Sequence, residues 1–169
     1  METLEAILTR RSIRKFKNKE IAEELIIKML QAAMYAPSAR NTQPWHFIVI
    51  NDRKKLDEIP RLHPYADMCY EAPLAIMICG DLTLEKMEGY IAINCAAATQ
   101  NLLLAAHDLG LGAVWLGVYP RKERMSALSK FFEIPENIIP VSLVAIGYPN
   151  ESKETPDRFK SERIHYNKW

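Results

Sequence analysis

Two short segments of the chain carry side chains whose types and spacing suit ligand chemistry. Arg10-Arg11-Ser12-Ile13-Arg14 places three guanidinium groups and a hydroxyl within one turn. A phosphate monoester needs charge and several converging donors, which arginine supplies as a rigid fork and a serine hydroxyl completes. If the turn curls, Arg10, Ser12 and Arg14 converge on one phosphate. The second segment is Pro37-Ser38-Ala39-Arg40-Asn41-Thr42-Gln43-Pro44-Trp45. Asn41 and Gln43 each donate and accept, which suits the edge of a flat heterocycle bearing both carbonyls and an N–H. Pro37 and Pro44 restrict the loop so that these amides are held. Read singly, the first segment is better taken as a solvated basic turn and the second as an ordinary turn of Ser, Asn and Pro.

The elements that must position these residues follow from periodicity. Thr3 can cap a first helix over residues 4–10 that delivers Arg10 and Arg11 into a loop. A second helix is predicted over 23–35, with Ile26, Met29, Leu30 and Ala33 as its apolar stripe and Ala36-Pro37 as its stop. His46 to Ile50 reads as a buried strand, followed by Asn51-Asp52, either of which can cap a short helix through Ile59. Pro60, Pro64 and Pro73 predict an irregular stretch. Further strands are expected over 74–79, 113–118 and 141–147, and an amphipathic helix over 121–132. Between them, 88–109 can form a central helix of about 30 Å. That helix is apolar nearly all round, which calls for burial on most faces, some of it against a second copy of the chain. The polar tail beyond Asn150 ends in Ile164, Tyr166 and Trp169, and two aromatics predict that it packs, across a partner if not on its own chain.

Composition narrows the classes of function. At 169 residues and 49% hydrophobic content the chain fits a single domain, residues 1–169. Lys and Arg total 22 against 21 for Asp and Glu, a balance that argues against a broad nucleic-acid-binding surface. Asn94, Gln100, Asn101, His107 and Asp108 interrupt the longest apolar run, which argues against a membrane span. Cys69, Cys79 and Cys95 lack metal-site spacing and read as buried free thiols. The charged N-terminus METLEAILTRR does not read as a signal peptide, and cytoplasmic residence is expected. Gly110-x-Gly112 follows a helix and lacks the third glycine of a dinucleotide fingerprint. Ser12 and Ser38 have no companion His and Asp in a hydrolase arrangement. His46, His63, His107 and His165 lack ligand spacing and read as structural or exposed.

The motifs RRSIRKF, APSARNTQPWHFIVI, GAVWLGVYP and VAIGYP, followed by a basic C-terminal stretch, occur in an order that resembles the FMN-dependent nitroreductase family over essentially the whole chain. The resemblance implies an α+β fold, a mostly antiparallel or mixed sheet flanked by helices, and a homodimer with exchanged C-terminal segments and flavin at the interface. It implies that Arg10, Arg11, Ser12 and Arg14 serve the phosphate, ribityl and pyrimidine side of FMN. Pro37 and Ser38 would lie near the isoalloxazine ring, with Asn41 and Gln43 as polar partners. Leu116 and Gly117 match a segment whose backbone approaches the flavin's reactive edge, and Arg158 and Lys160 match basic residues that complete the phosphate pocket. The implied activity is hydride transfer from NAD(P)H through FMN to a nitroaromatic, quinone or similar acceptor by a ping-pong mechanism. Alternatives are a flavin-storing or regulatory module without turnover, and a relative with dehalogenase or flavin-fragmenting chemistry. The chain departs from larger members in having Trp115-Leu116-Gly117 where they carry an acidic residue, and in leaving little length for inserted helices over the substrate channel.

Overall fold

Alternation of side chains on four strands gives the molecule a sheet with two buried faces. A computed structural model describes residues 1–169. Strands β1 (Trp45–Ile50), β2 (Leu74–Asp81), β3 (Gly112–Gly117) and β4 (Ile138–Gly147) form one sheet in the order β1-β2-β4-β3. Every pairing is antiparallel. On one face Leu74, Ile76, Ile78, Val144 and Ile146 pack against helices α2 (Glu23–Met34) and α4 (Glu88–Asp108). On the other, Met77, Cys79, Leu143, Ala145, Val114 and Leu116 pack with α3 (Arg53–Leu62), α5 (Lys122–Phe131), Ile13 and Phe16. Helix α1 is Thr3–Thr9.

Helix α4 approaches the sheet closely because Gly80 has no side chain: a Cβ there would lie 2.1 Å from Ile91 Cγ2. Ile91 and Leu102 are fully buried, each contributing roughly 1.5–3 kcal/mol by leaving water. The expected all-round burial of α4 is incomplete in a single chain, since Ile93 is 65% and Tyr90 40% exposed. The three cysteines are buried and free, and burial pushes each thiol up to about 12.

Two expectations need correction. Glu2, not Thr3, precedes α1, and no side chain caps it. Helix α3 does not end at Ile59 but runs to Leu62 through Pro60, since Asp52 accepts from the Lys54 N–H (2.8 Å) at its start and Pro60 falls in its last turn. The strand pairings are all antiparallel, in line with the mostly antiparallel sheet expected. Residues 152–169 are exposed, and the terminal aromatics, Tyr166 at 81% and Trp169 at 98%, find no cover on the same chain.

Candidate functional site

Strand β3 is an edge strand, and its outer side organises one end of the site. Ser12 forms a parallel bridge to Ala113, and the Ile13 N–H donates to the Ala113 carbonyl at 3.0 Å. Gly112 permits this approach, because a Cβ there would fall 2.7 Å from Ile13 Cγ2. The basic turn is therefore pinned to the start of β3. The chain's own tail straps it from outside: Arg11 Nε donates to the Glu154 carbonyl (3.0 Å) and Lys153 Nζ to the Ser12 carbonyl (2.6 Å). Glu151 Oε1 accepts from the N–H groups of Arg14 (2.5 Å) and Lys15 (3.3 Å).

Positive charge accumulates there. Burial, then the neighbouring Arg11 and Arg158 guanidiniums, lower the pKa of Arg10, so Arg158 reaches this corner from the tail. His107, in the last turn of α4, shares a 2.9 Å hydrogen bond with Thr9 Oγ1. Burial first, then Arg10 and Arg11, hold His107 below the usual histidine value against the opposing pull of Asp108 and Glu5. Arg10, Arg11, His107, Glu151 and Lys153 line a cavity of about 340 Å³. Crowded guanidiniums with one carboxylate among them make a receptor for an anion.

At the far end of β3, Gly117 presents backbone. His63 Nε2 lies 2.9 Å from its carbonyl oxygen and Arg124 donates to the same oxygen at 2.8 Å. A strand residue directs its N–H and C=O to the same side, and this carbonyl is held by side chains outside the ladder, so the Gly117 N–H faces the free edge too. A Cβ on Gly117 would meet nothing within 4 Å. His63 is 1% exposed, and burial lowers its pKa, keeping the imidazole neutral at pH 7. The Leu116 side chain is buried in the core, and by the same alternation its N–H and C=O face β4, so it does not turn polar backbone to the free edge as expected. From Ala113 to Gly117 the strand rises about 14 Å, so an elongated molecule with an anionic tail and a planar head matches the edge. Between the two ends, Arg14, Lys15, Tyr65 and Met68 border a second cavity of about 590 Å³, which shares Glu151 and Lys153 with the first.

The amide loop sits elsewhere. It feeds Trp45 at the start of β1, the opposite edge of the sheet, and the Pro44 carbonyl accepts from the Asp81 N–H (2.8 Å). Arg40, Asn41 and Gln43 all have left-handed backbone, with φ of 53°, 55° and 45°, a conformation unfavourable for residues other than glycine. Side chains hold it: Ser38 Oγ accepts from the Gln43 N–H, Asn41 Oδ1 from Gln43 Nε2, and Asn94 Oδ1 from the Ala39 N–H, each at 3.0 Å. Arg40 pairs with the buried Glu85 at 2.6 Å, and the Met87 N–H, then Arg40, keep that carboxyl below its ordinary range. Thr42 Oγ1 and Asn94 Nδ2 are buried without a partner.

Thus Arg10, Arg11, Ser12, Gly117 and Arg158 lie along one strand edge, with Arg14 in the adjoining cavity instead of beside Arg10. Pro37, Ser38, Asn41 and Gln43 lie diagonally across the sheet, roughly 25 Å from Ser12 by strand spacing and rise. Lys160 is exposed in the tail and begins a single 3₁₀ turn. Sequence reasoning missed His107, His63, Asn94, Glu151 and Lys153. The only signal for His107 was its place in the last turn of the central helix.

Comparison with known proteins bears on the family and the fold. The model of the nitroreductase family matches residues 7–64 and 59–148. A Methanothermobacter thermautotrophicus protein, provisionally named NADH dehydrogenase/NAD(P)H nitroreductase, is 53% identical over all of this chain and 88% of its own length. An FMN-dependent nitroreductase from Clostridium difficile R20291 superposes with a TM-score of 0.91 at 29% identity, over 99% of this chain and 100% of the other. A Desulfovibrio desulfuricans protein provisionally described as a nitroreductase, solved in complex with FMN, superposes with a TM-score of 0.86 at 30% identity, covering 100% and 99% of the two chains.

Proposed function

Because the chain belongs to the nitroreductase family, we propose that it is an FMN-dependent oxidoreductase that takes a hydride from NAD(P)H and delivers electrons to nitroaromatics, quinones or similar acceptors. The observation that carries this reading is the free edge of β3, with a cationic corner at Ser12–Ala113 and bare backbone at Gly117. The residues fit FMN: Arg10, Arg11, Arg158 and His107 would hold the phosphate, Arg14 and Lys153 the middle, and the Gly117 N–H the edge of the ring. Bound FMN supplies the hydride acceptance and electron delivery. The chain supplies binding and electrostatics. The neutral His63 and Arg124 fix the Gly117 carbonyl and so aim its N–H, and Arg14 offers positive charge to a ring that gains electrons.

We further propose a homodimer. The loop carrying Ser38, Asn41 and Gln43 is preorganised yet lies across the sheet from the Gly117 edge, so one chain does not close both around the same ring. A second copy brings its loop to the first copy's strand. Exposed Tyr90 and Ile93 on α4, and Ile164, Tyr166 and Trp169 in the tail, supply apolar surface for that contact, and exchange of the tails covers it. No helix is long and apolar enough to cross a membrane, which is consistent with the cytoplasmic residence proposed for it.

Spectra, initial rates, a tail deletion and sedimentation test these proposals. Purified protein should show flavin absorbance that NAD(P)H bleaches without acceptor and a quinone restores. Initial rates at several acceptor concentrations should give parallel double-reciprocal lines, because donor and acceptor share one open ring face and reacting atoms must approach to about 3–3.5 Å. Intersecting lines with no bleaching would remove the proposal. Deleting residues 164–169 should weaken flavin retention together with dimerisation. A monomer by sedimentation that keeps full flavin occupancy would exclude the shared site.

A further inference from the structure

Beside Gly117, on the side away from the phosphate corner, lies an open cavity of about 700 Å³ that the flavin reading leaves unassigned. Arg61, Arg121, Lys122 and Arg124 line it, and Glu123 is its one acidic lining residue. In a chain with a formal net charge of +1, four cations on one concavity are a local excess. Their engagements differ. Arg61 is paired with Glu58 at 2.7 Å, and Arg124 donates to the Gly117 carbonyl while lying 5.3 Å from the Tyr65 ring centroid. Arg121 and Lys122 are exposed and form no ion pair within the chain.

Arg124 connects this cavity to the backbone that faces the ring, and Tyr65 lines both this cavity and the one bordered by Arg14. A dinucleotide with its nicotinamide over a ring at Gly117 can run its adenosine end outward past these residues, since Arg124 lies both on the Gly117 carbonyl and in the cavity wall. Adenosine ribose bearing a 2′-phosphate differs from plain adenosine ribose by a phosphomonoester, the group that converging Arg and Lys donors bind. The exposed Tyr65 ring, 69% accessible, adds a flat face for a base. We infer that the cavity formed by Arg121, Lys122, Arg61 and Arg124 binds the 2′-phosphate of NADPH and makes NADPH the preferred hydride donor. This rests on the oxidoreductase reading above.

The test compares the two donors on the flavin-loaded protein and titrates a fragment separately. The parent should favour NADPH over NADH in kcat/KM. In Arg121→Ser/Lys122→Ser that ratio should fall about tenfold or more, the scale of losing charge-assisted contacts. Lys130→Ser, on the same helix outside the cavity, should leave the ratio unchanged. Adenosine 2′,5′-bisphosphate should bind the full-length parent more tightly than adenosine 5′-monophosphate by calorimetry, and the double variant should abolish the difference. Equal use of both donors by the parent, an unchanged ratio in the double variant, or equal affinity for the two adenosine phosphates would each overturn the inference. If neither donor bleaches the flavin, the oxidoreductase reading falls by itself, and the calorimetric comparison still decides whether the cavity selects the 2′-phosphate.

Discussion

The two corners of the sheet that carry ligand-type residues are built in opposite ways. At the start of β3 the chain closes its own pocket: the basic turn bridges to Ala113, and residues 151–158 return over it through Glu151, Lys153, the Glu154 carbonyl and Arg158. At the start of β1 the loop is held from beneath by Asn94 and by Glu85 through Arg40, while Asn41 and Gln43 face out exposed. One corner closes within one chain. The other is a preorganised loop whose amides face solvent. Left-handed backbone at Arg40, Asn41 and Gln43 costs free energy that folding alone does not require, which is understandable if the loop's conformation serves a ring held by a second copy.

The sharpest way to break the comparison is to change the anionic part of the ligand. Arg10→Ala or Arg158→Ala should weaken FMN binding about tenfold to a hundredfold, corresponding to roughly 1.5–3 kcal/mol for a charge-assisted contact. Riboflavin, which has no phosphate, should bind these variants about as well as it binds the parent. Fluorescence quenching titrations of both flavins give the comparison. Equal losses for the two would mean that this corner does not read the phosphate.

A smaller effect is expected from the opposite corner. Asn94→Ala removes the acceptor for the Ala39 N–H and leaves the left-handed loop without one of its supports. The loss should be about 1 kcal/mol of loop order, seen as a several-fold weakening that is the same for FMN and riboflavin. A variant that discriminates between the two flavins would place this loop near the phosphate and undo the division.

The difference between the corners also explains what could be read from the amino-acid order. The strands were legible because β2 and β4 are apolar throughout and flanked by turns, and α2 showed its stripe at Ile26, Met29 and Ala33. The basic turn and the amide loop were visible as chemistry. Their placement was not, since it depends on sheet order, which puts β3 and β1 at opposite edges although the two segments are neighbours in sequence. Left-handed backbone at Arg40, Asn41 and Gln43 leaves no glycine as a signature. Asn94 sits in an apolar helix where a polar residue reads as a tolerated exception, and only the fold brings it under Ala39. The tail is a different case: Tyr166 and Trp169 read as residues that pack, across a partner if not on their own chain, and on their own chain they are exposed.

The smallest expected effect belongs to His107, which ties the cationic corner to pH. In the folded chain its pKa is below the ordinary 6.5, chiefly from burial and then from Arg10 and Arg11, with Asp108 and Glu5 pulling the other way and the Thr9 hydroxyl as its hydrogen-bond partner. The unfolded chain therefore takes up this proton first as the pH drops. His107 costs the ligand-free fold nothing above 6.5 and lowers its stability as pH falls through that value toward the depressed one. A bound phosphate reverses the local field and raises the His107 pKa, so binding is accompanied by proton uptake in the interval between the depressed and the raised values. FMN affinity of the parent, divided by that of His107→Gln at the same pH, should rise a few-fold as the solution is taken from neutral to mildly acidic. The ratio cancels the phosphate's own titration, which occurs near pH 6 in both proteins. Riboflavin should show no such trend, and a flat ratio for FMN would remove His107 from the phosphate corner while leaving Arg10 and Arg158 in it.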